Sequence, residues 1–270
     1  MKIAIFDSGL GGLTVASEVF KALPSYDYLY LGDNTRAPYG IRSQQEIYNF
    51  TRQGIKWLFA RGAKMCILAC NTASSQALRK LQQDWLPKEF PDRKILGVII
   101  PIAQEVSRTS QGLVGVIGTP ATVLSKAYIR ELRKIKPDIK IIQVAAPELV
   151  PLIEKGASEE EIRKILEAYL SPFLQASIDT LILGSTHYSL IESSFRQLLG
   201  GSIVIPHTAK IVAVSLGAYL SRHREIEEVL TRGRGRAFYT TGDPEMVKRG
   251  SERFLGEAIE PDHVEIERLV

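Results

Sequence analysis

The sequence predicts an α/β protein made of two similar halves, each built on a parallel sheet, with a candidate site in the cleft between them. Eight short apolar or β-branched runs alternate with amphipathic helical patterns, which is typical of βαβ units with right-handed crossovers. The first four runs begin at residues 2, 28, 66 and 95, and the last four begin at residues 113, 139, 180 and 202. The second set repeats the first about 110 residues later, which predicts two related halves of four strands each.

The individual elements follow from periodicity. Strands are predicted at residues 2–6, 28–32, 66–70, 95–99, 113–117, 139–144, 180–184 and 202–206. Helices are predicted where apolar side chains recur at helical spacing, at residues 13–23, 43–62, 74–86, 121–135, 159–175 and 193–201.

The tail beyond residue 208 adds a predicted helix at 209–224, a strand in RAFYTTGD (236–243), a helix after Asp243-Pro244 and a strand-like end at 264–270. No segment before it has the composition of a linker, so we expect the tail to return and complete the first half. The predicted domains are therefore residues 1–97 together with 208–270, and residues 98–207.

The composition is that of a globular protein. Of 270 residues, 45% are hydrophobic and 24% are charged. No apolar stretch approaches the roughly 20 residues that span a bilayer, and the N-terminus MKIAIFDSGLGG lacks the pattern of a signal peptide. We expect a cytoplasmic protein. Its two cysteines lie about two strand rises apart, and its four histidines lack metal-ligand spacing, so neither a disulfide nor a metal is expected.

The formal net charge of +4 is concentrated in residues 223–236, HREIEEVLTRGRGR. One interpretation is a contact with phosphate or nucleic acid. The other, which we favour, is a solvated helix end and loop, with no nucleic-acid or membrane partner.

Polar side chains follow the predicted strands at the points where the strands end. In open α/β sheets, ligands bind outside the carboxyl ends of the strands. We therefore expect a small ligand between the two halves, near Asp7-Ser8-Gly9, Asp33-Asn34-Thr35, Cys70-Asn71-Thr72, Gly118-Thr119 and Ser185-Thr186-His187.

The glycine run in IFDSGLGGLTV follows a strand and opens a helix, as a phosphate-binding loop does. A Rossmann fingerprint would need a third glycine where Thr14 stands, and no Walker lysine is present. We expect instead that Gly9, Gly11 and Gly12 let the backbone pass close to a small ligand while Asp7 and Ser8 face it.

Cys70 is the candidate reactive residue. It stands between a predicted strand and the first turn of a helix, where the helix dipole favours the thiolate, and polar residues follow it. We expect a lowered pKa at Cys70. Cys66 is expected to be a small buried side chain inside the sheet.

Ser185 occupies in the second half the place that Cys70 occupies in the first. The surrounding GSTHY is not a hydrolase elbow, because that pattern needs glycine where His187 stands. His187 is only two residues from Ser185, which is unsuitable for the base of a serine triad, but it can orient or protonate a ligand.

Five segments in this order resemble the cofactor-independent glutamate racemases: DSGLGG (7–12), PYG (38–40), ACNTAS (69–74), GVIGTPAT (115–122) and GSTHY (184–188). The resemblance runs from the first strand to about residue 190 and continues more weakly into the tail. It implies a two-domain α/β fold with pseudo-twofold symmetry, no cofactor and, by analogy, a homodimer. In this family two cysteines on opposite faces of the substrate exchange its α-proton.

The resemblance also implies roles for individual residues. Cys70 matches the first catalytic cysteine, Asp7 and His187 match the residues that assist the two thiols, and Glu154 matches an acidic residue near the second. The positions that hold the substrate match Ser8, Pro38, Tyr39, Gly40, Asn71, Thr72, Thr119 and Thr186.

The sequence departs from the family pattern at several positions. Ser185 stands where the family has its second cysteine, Ser189 where it usually has proline, and Ala146 in place of a common cysteine; IPHTA replaces a segment that is commonly acidic. An alcohol is a weaker acid and nucleophile than a thiol, so we expect an impaired enzyme.

The function implied is racemisation of L- to D-glutamate for peptidoglycan synthesis. Two alternatives are a non-catalytic amino-acid-binding protein, and an aspartate racemase or a decarboxylase-like member of the superfamily that uses one thiol.

Overall fold

The computed structural model describes residues 1–266, and these residues form two parallel sheets. The first sheet has six strands in the order β4-β3-β1-β2-β8-β9, and the second has three in the order β6-β5-β7. We call the parts of the molecule around them the first half and the second half. The strands are β1 (Lys2–Asp7), β2 (Tyr28–Gly32), β3 (Ala63–Leu68), β4 (Lys94–Gly97), β5 (Leu113–Gly118), β6 (Lys140–Ala145), β7 (Thr180–Gly184), β8 (Arg236–Thr240) and β9 (Asp262–His263).

Helices connect and cover the strands. Short 3₁₀ turns span residues 34–36, 39–41 and 186–191, and a π-helical turn spans 81–85. The α-helices are α1 (Leu13–Ala22), α2 (Gln44–Ala60), α3 (Asn71–Gln76), α4 (Leu78–Lys80), α5 (Leu86–Glu89), α6 (Ile99–Thr109), α7 (Pro120–Leu124), α8 (Ala127–Ile135), α9 (Leu149–Lys155), α10 (Glu159–Ala176), α11 (Glu192–Leu199), α12 (Thr208–Arg222), α13 (Arg224–Glu227) and α14 (Pro244–Leu255).

Both faces of the central strands are buried. In β1, Ile5 points into one hydrophobic core and Phe6 into another, as strand alternation requires. The core that contains Ile5 also contains Val116 of β5, together with side chains of α1, α6 and α12. One continuous core therefore joins the two halves.

The predicted internal repeat is present in the strand order. In the first sheet β1 lies between β3 and β2, and in the second β5 lies between β7 and β6. The four strands predicted in the first half are present, but the fourth strand predicted in the second half is not, because residues 202–206 form only an isolated bridge between Val204 and Thr180. This segment follows a turn at Gly200, where φ is +73°, and ends at Pro206, which has no N–H to donate to a ladder.

Several further boundaries differ from prediction. The fourth strand ends at Gly97 rather than at residue 99, and the helix expected at 74–86 is divided into α3, α4, a π-helical turn and α5. The third strand covers Ala63–Leu68 rather than 66–70, because Cys70 already acts as the N-cap of α3. The single helix expected at 121–135 is two helices, separated at Lys126, whose φ of 53° is left-handed. Helices α6 and α9 were not predicted.

The tail contains the expected α12, β8 and α14. Strand β8 pairs with β2, and β9 pairs with β8, so both tail strands extend the first sheet. The predicted final strand at 264–270 lies partly outside the described residues. Within residues 1–266, no helix combines the length and apolarity needed to cross a membrane.

Candidate active site

A cavity of about 200 Å³ lies between the two halves, at the carboxyl ends of both sets of strands. Every residue to which the family resemblance gave a role lines it except Asp7, which is buried behind it. Gly9 lines it as expected, but Asp33, Asn34, Thr35 and Gly118, which were also expected near the ligand, do not. Sequence reasoning missed most of the apolar wall, which carries no polar signal in the sequence. These further lining residues are Ala37, Ile41, Pro120, Pro147, Val150 and Pro151.

Cys70 lies between β3 and α3 and is only 5% exposed. Its Sγ accepts a hydrogen bond from the Ala73 N–H at 3.4 Å and is hydrogen-bonded to Ser8 Oγ at 3.3 Å. Burial and, secondly, the charge of Asp7 raise the pKa of Cys70 to about 11, against the lowering effect of those hydrogen bonds. The prediction of a lowered pKa at Cys70 was therefore wrong, because desolvation raises the pKa by more than the hydrogen bonds at the start of the helix lower it.

Cys66 is fully buried in β3, within an apolar cluster, as predicted. Burial alone raises the pKa of its thiol, and more strongly than at Cys70. Cys70 is thus the thiol that meets the cavity and the more acidic of the two.

Asp7 ends β1 and is 1% exposed. Its Oδ2 accepts a hydrogen bond from the Gly9 N–H at 2.9 Å. Burial raises the pKa of Asp7 to about 6, although nearby His187 and the Gly9 N–H oppose this shift. Asp7 is therefore a carboxylate with a basicity suited to accepting a proton near neutral pH.

The second half supplies the opposite wall through Ser185, His187 and Glu154. Ser185 directly follows β7 and His187 lies in the next 3₁₀ turn, while Glu154 comes from the last turn of α9. His187 Nε2 lies 2.8 Å from Glu154 Oε1, so the carboxylate orients the imidazole. The structure thus brings together every predicted catalytic residue.

Two glycines let the halves approach each other. A Cβ on Gly11 would lie 2.2 Å from Thr186 Oγ1, and one on Gly40 would lie 2.7 Å from Thr119 Cβ. We had expected Gly11 to let the backbone pass close to a ligand. This expectation was wrong, because Gly11 makes room for the second half of the protein instead.

Hydroxyl groups cross the cleft. Thr72 Oγ1 is hydrogen-bonded to Thr119 Oγ1 at 2.9 Å, and both contact Thr122. Tyr128 OH donates to Asn71 Oδ1 at 2.7 Å. Thr72 and Thr119, both predicted to bind substrate, therefore bind each other across the cleft, and Asn71 is bound by Tyr128.

Asp33 supports the cavity wall from behind and was not assigned a role from the sequence, although its loop was noted as polar. It is fully buried, and its carboxylate accepts hydrogen bonds from Tyr39 OH and from Thr241 Oγ1 at 2.8 Å. Arg36 Nε lies 2.7 Å from the same carboxylate. These bonds hold Tyr39 in the wall.

The arginine-rich segment, residues 223–236, has two of its four arginines in ion pairs. Arg232 pairs with Glu227, and Arg236 lies 2.9 Å from Glu257. These pairs agree with a solvated loop. Among residues 1–266, no group of three or more His, Cys, Asp or Glu side chains could hold a metal ion.

The family model described as Asp/Glu/Hydantoin racemase matches residues 14–214. The chain belongs to this racemase family. It is 38% identical to the glutamate racemase of Paracoccus denitrificans, over 94% of this chain and 97% of that protein. It is 35% identical to the glutamate racemase of Streptococcus agalactiae serotype III, over 97% of both.

Solved structures of the family share this fold. Glutamate racemase isoform RacE1 from Bacillus anthracis superposes with a TM-score of 0.89 at 33% identity, covering 98% of this chain and 97% of that one. The Francisella tularensis glutamate racemase, solved with D-glutamate, gives 0.89 at 30% identity, covering 99% and 98%. These similarities confirm the predicted family, the α/β fold of two halves and the isomerase class of this racemase.

Proposed function

We propose that this racemase interconverts L- and D-glutamate by removing and returning the α-proton without a cofactor, and so supplies D-glutamate for peptidoglycan synthesis. The supporting observation is the pair Cys70 and Ser185, which reach one small cavity from equivalent strand ends of the two halves. Acid–base groups on opposite walls are what inversion at a carbon requires.

The lining suits an amino dicarboxylate. None of the cavity-lining residues described is a lysine or arginine, and the walls offer hydroxyl, amide and backbone donors. Such donors bind carboxylates at helix starts without neutralising the catalytic carboxylate. We assign substrate binding to Ser8, Pro38, Tyr39, Gly40, Asn71, Thr72, Thr119 and Thr186.

We assign proton transfer on one wall to Cys70, assisted by Asp7. On the other wall, Ser185 takes the place of a thiol, assisted by His187 and Glu154. Because the developing carbanion is stabilised by preorganised dipoles rather than by a cofactor, the hydroxyl-lined cavity is appropriate to the reaction.

A one-thiol reaction is the second candidate, and Ser185 favours it, since only Cys70 presents a thiol to the cavity. Incubating dialysed protein with malonate-type diacids tests for decarboxylation, whereas racemisation is tested by following the optical rotation of L- and D-glutamate. Binding of glutamate in calorimetry with neither turnover nor α-proton exchange would identify a non-catalytic binding protein.

We further propose two domains, residues 1–97 with 208–270 and residues 98–207, in a cytoplasmic homodimer. Light scattering of the purified chain tests the homodimer. Limited proteolysis tests the boundary at residue 207, because His207 is exposed and cleavage should occur there first, whereas Val98 at the other boundary is buried.

A further inference from the structure

Helix α14 lies behind the pair formed by Glu154 and His187. Arg253, in its last turn, donates a hydrogen bond from Nη1 to the backbone oxygen of Ile153 at 2.8 Å. Ile153 is the residue before Glu154, in the last turn of α9. A cation that binds the carbonyl groups at a helix end stabilises that end. Arg253 thus holds the backbone that carries Glu154.

The next residue of α14 contacts the other member of the pair. Phe254 is buried, and its ring packs edge-on against the imidazole of His187, with ring centroids 5.5 Å apart and planes at 82°. Edge-to-face packing of this kind restricts the orientation of both rings. Two consecutive residues of α14 therefore contact His187 itself and the backbone next to Glu154.

Helix α14 is itself firmly attached to the first half. Ser17 Oγ in α1 donates to the backbone oxygen of Leu255 at 2.9 Å. At Gly250 the helix comes so close to Leu10 that an added Cβ would lie 2.8 Å from its side chain. The first half therefore provides a fixed support for acid–base groups of the second.

Glu154 needs such support, because 38% of its side chain is exposed and its hydrogen-bond partner is His187. Its position depends mainly on where the end of α9 is held. A displacement of about 1 Å in a catalytic group can reduce a rate by roughly a hundredfold.

We propose that Arg253 and Phe254 are positioning residues that set the imidazole of His187 against Glu154 and thereby support proton transfer on the Ser185 wall of the cavity. The link to catalysis rests on the proposed function, whereas the effect on the His187–Glu154 hydrogen bond does not.

The first experiment measures that hydrogen bond directly. Proton–nitrogen NMR spectra of the His187 imidazole are compared for the unchanged chain, Arg253→Met and Phe254→Leu. The control is Arg249→Met, an exposed arginine on the same helix. The His187 signals should move in the first two variants, stay unchanged in the control, and return towards the original position in Arg253→Lys. Identical His187 spectra in Arg253→Met and in the control would overturn the proposal.

The second experiment separates positioning from general damage to the fold. In a Ser185→Cys background, exchange of the α-proton in D₂O is followed for each enantiomer. Arg253→Met should slow exchange from L-glutamate about tenfold and change exchange from D-glutamate by less than about twofold. Equal slowing of both would indicate a merely structural role and overturn the proposal. If the Ser185→Cys protein exchanges neither enantiomer while the His187 signals still respond, the proposed function is wrong and the positioning role stands.

Discussion

Cys70 and Asp7 are the candidate proton-transfer residues whose pKa values are raised by burial. The pKa of Asp7 is raised to about 6 and that of Cys70 to about 11. At neutral pH the ligand-free protein thus holds Asp7 as a carboxylate and Cys70 as a thiol. A substrate ammonium group in the cavity would favour the Cys70 thiolate, since an opposite charge nearby stabilises the charged form.

The reactivity of Cys70 should respond in opposite directions to its two neighbours. Asp7→Asn removes a charge that raises the pKa of Cys70, so alkylation by iodoacetamide should become faster. Ser8→Ala removes a hydrogen bond that lowers this pKa, so alkylation should become slower. At a pH where Asp7 is ionised and Cys70 is still mostly a thiol in both variants, their rates of alkylation should differ by roughly tenfold.

Mass spectrometry of the labelled protein measures both rates. Cys66 serves as the internal control and should remain unlabelled in every variant, because it is inside the sheet. Labelling of both cysteines at similar rates, or acceleration in Ser8→Ala, would contradict this account.

Asp7 should also make stability depend on pH. Between the ordinary aspartate pKa of 3.8 and the raised pKa of about 6, the folded protein keeps a proton that the unfolded chain has released. The free energy of unfolding should therefore fall as pH rises through this window, by on the order of 3 kcal/mol. The Asp7→Asn variant should not lose stability as the pH rises through this window.

Urea unfolding at pH values below, within and above the window tests the prediction. The stability of Asp7→Asn relative to the unchanged chain should increase as the pH rises. The exposed Asp84→Asn is the matched control and should show no such trend. A constant difference between Asp7→Asn and the unchanged chain would mean that Asp7 titrates normally.

Ser185 should make proton exchange one-sided. From the family resemblance, we propose that Cys70 faces the α-hydrogen of D-glutamate and Ser185 that of L-glutamate. A lost acid–base group costs roughly 10²–10⁴ in rate, so in D₂O the α-proton signal of D-glutamate should disappear faster than that of L-glutamate. Net racemisation must slow in both directions, because the two enantiomers have equal free energy.

Ser185→Cys should bring the two exchange rates together and raise turnover, and Cys70→Ser should suppress exchange from D-glutamate. NMR spectra of each enantiomer, recorded over time, provide the measurement. Equal washout of both enantiomers by the unchanged chain, or no gain from the restored thiol, would show that position 185 has been assigned the wrong role.

At the scale of elements, the loop from β1 to α1 and the 3₁₀ turn after β7 can approach only because residue 11 lacks a side chain. In Gly11→Ala the added carbon would lie 2.6 Å from His187 Nδ1 as well as against Thr186. We expect a loss of about 1–3 kcal/mol in the free energy of unfolding. The fractional loss of activity should be larger than the fractional loss of stability, because the displaced residues line the cavity.

Chemical denaturation and turnover measure the two effects. Gly217→Ala in α12 is the control, since its nearest neighbour would be Leu23 at 3.7 Å. An alanine in a helix is favoured over glycine, so this variant should be at least as stable as the unchanged chain. Full activity in Gly11→Ala would refute the close packing described.

The elements predicted correctly are those whose apolar pattern alone determines them. Strand β1 is buried on both faces and reads as a continuous apolar run. Residues 202–206 have a similar pattern but form a single bridge, because they lie between the turn at Gly200 and Pro206, which has no N–H. The break at Lys126 is a backbone conformation that lysine rarely adopts, and no residue type marks it in the sequence. Helix α9 is short and begins beside prolines, which hides its periodicity.

At the scale of the whole molecule, the repeat and the motifs were sufficient to predict one cleft and nearly all the polar residues that line it. What could not be predicted depends on contacts between distant parts of the chain. Asp33 is bonded by Thr241 from the tail, and His187 is packed by Phe254. The raised pKa of Cys70 likewise follows from how completely the surrounding structure excludes water.

The two sheets can be completed at different times during translation. All three strands of the second sheet lie between residues 113 and 184, so this sheet can form as soon as β7 has been synthesised. The first sheet must wait for β8, the partner of β2, which is translated about 200 residues after β2. Until then the edge of β2 is open to pairing with other chains. Strand β2 is therefore exposed to aggregation throughout the synthesis of the whole second half.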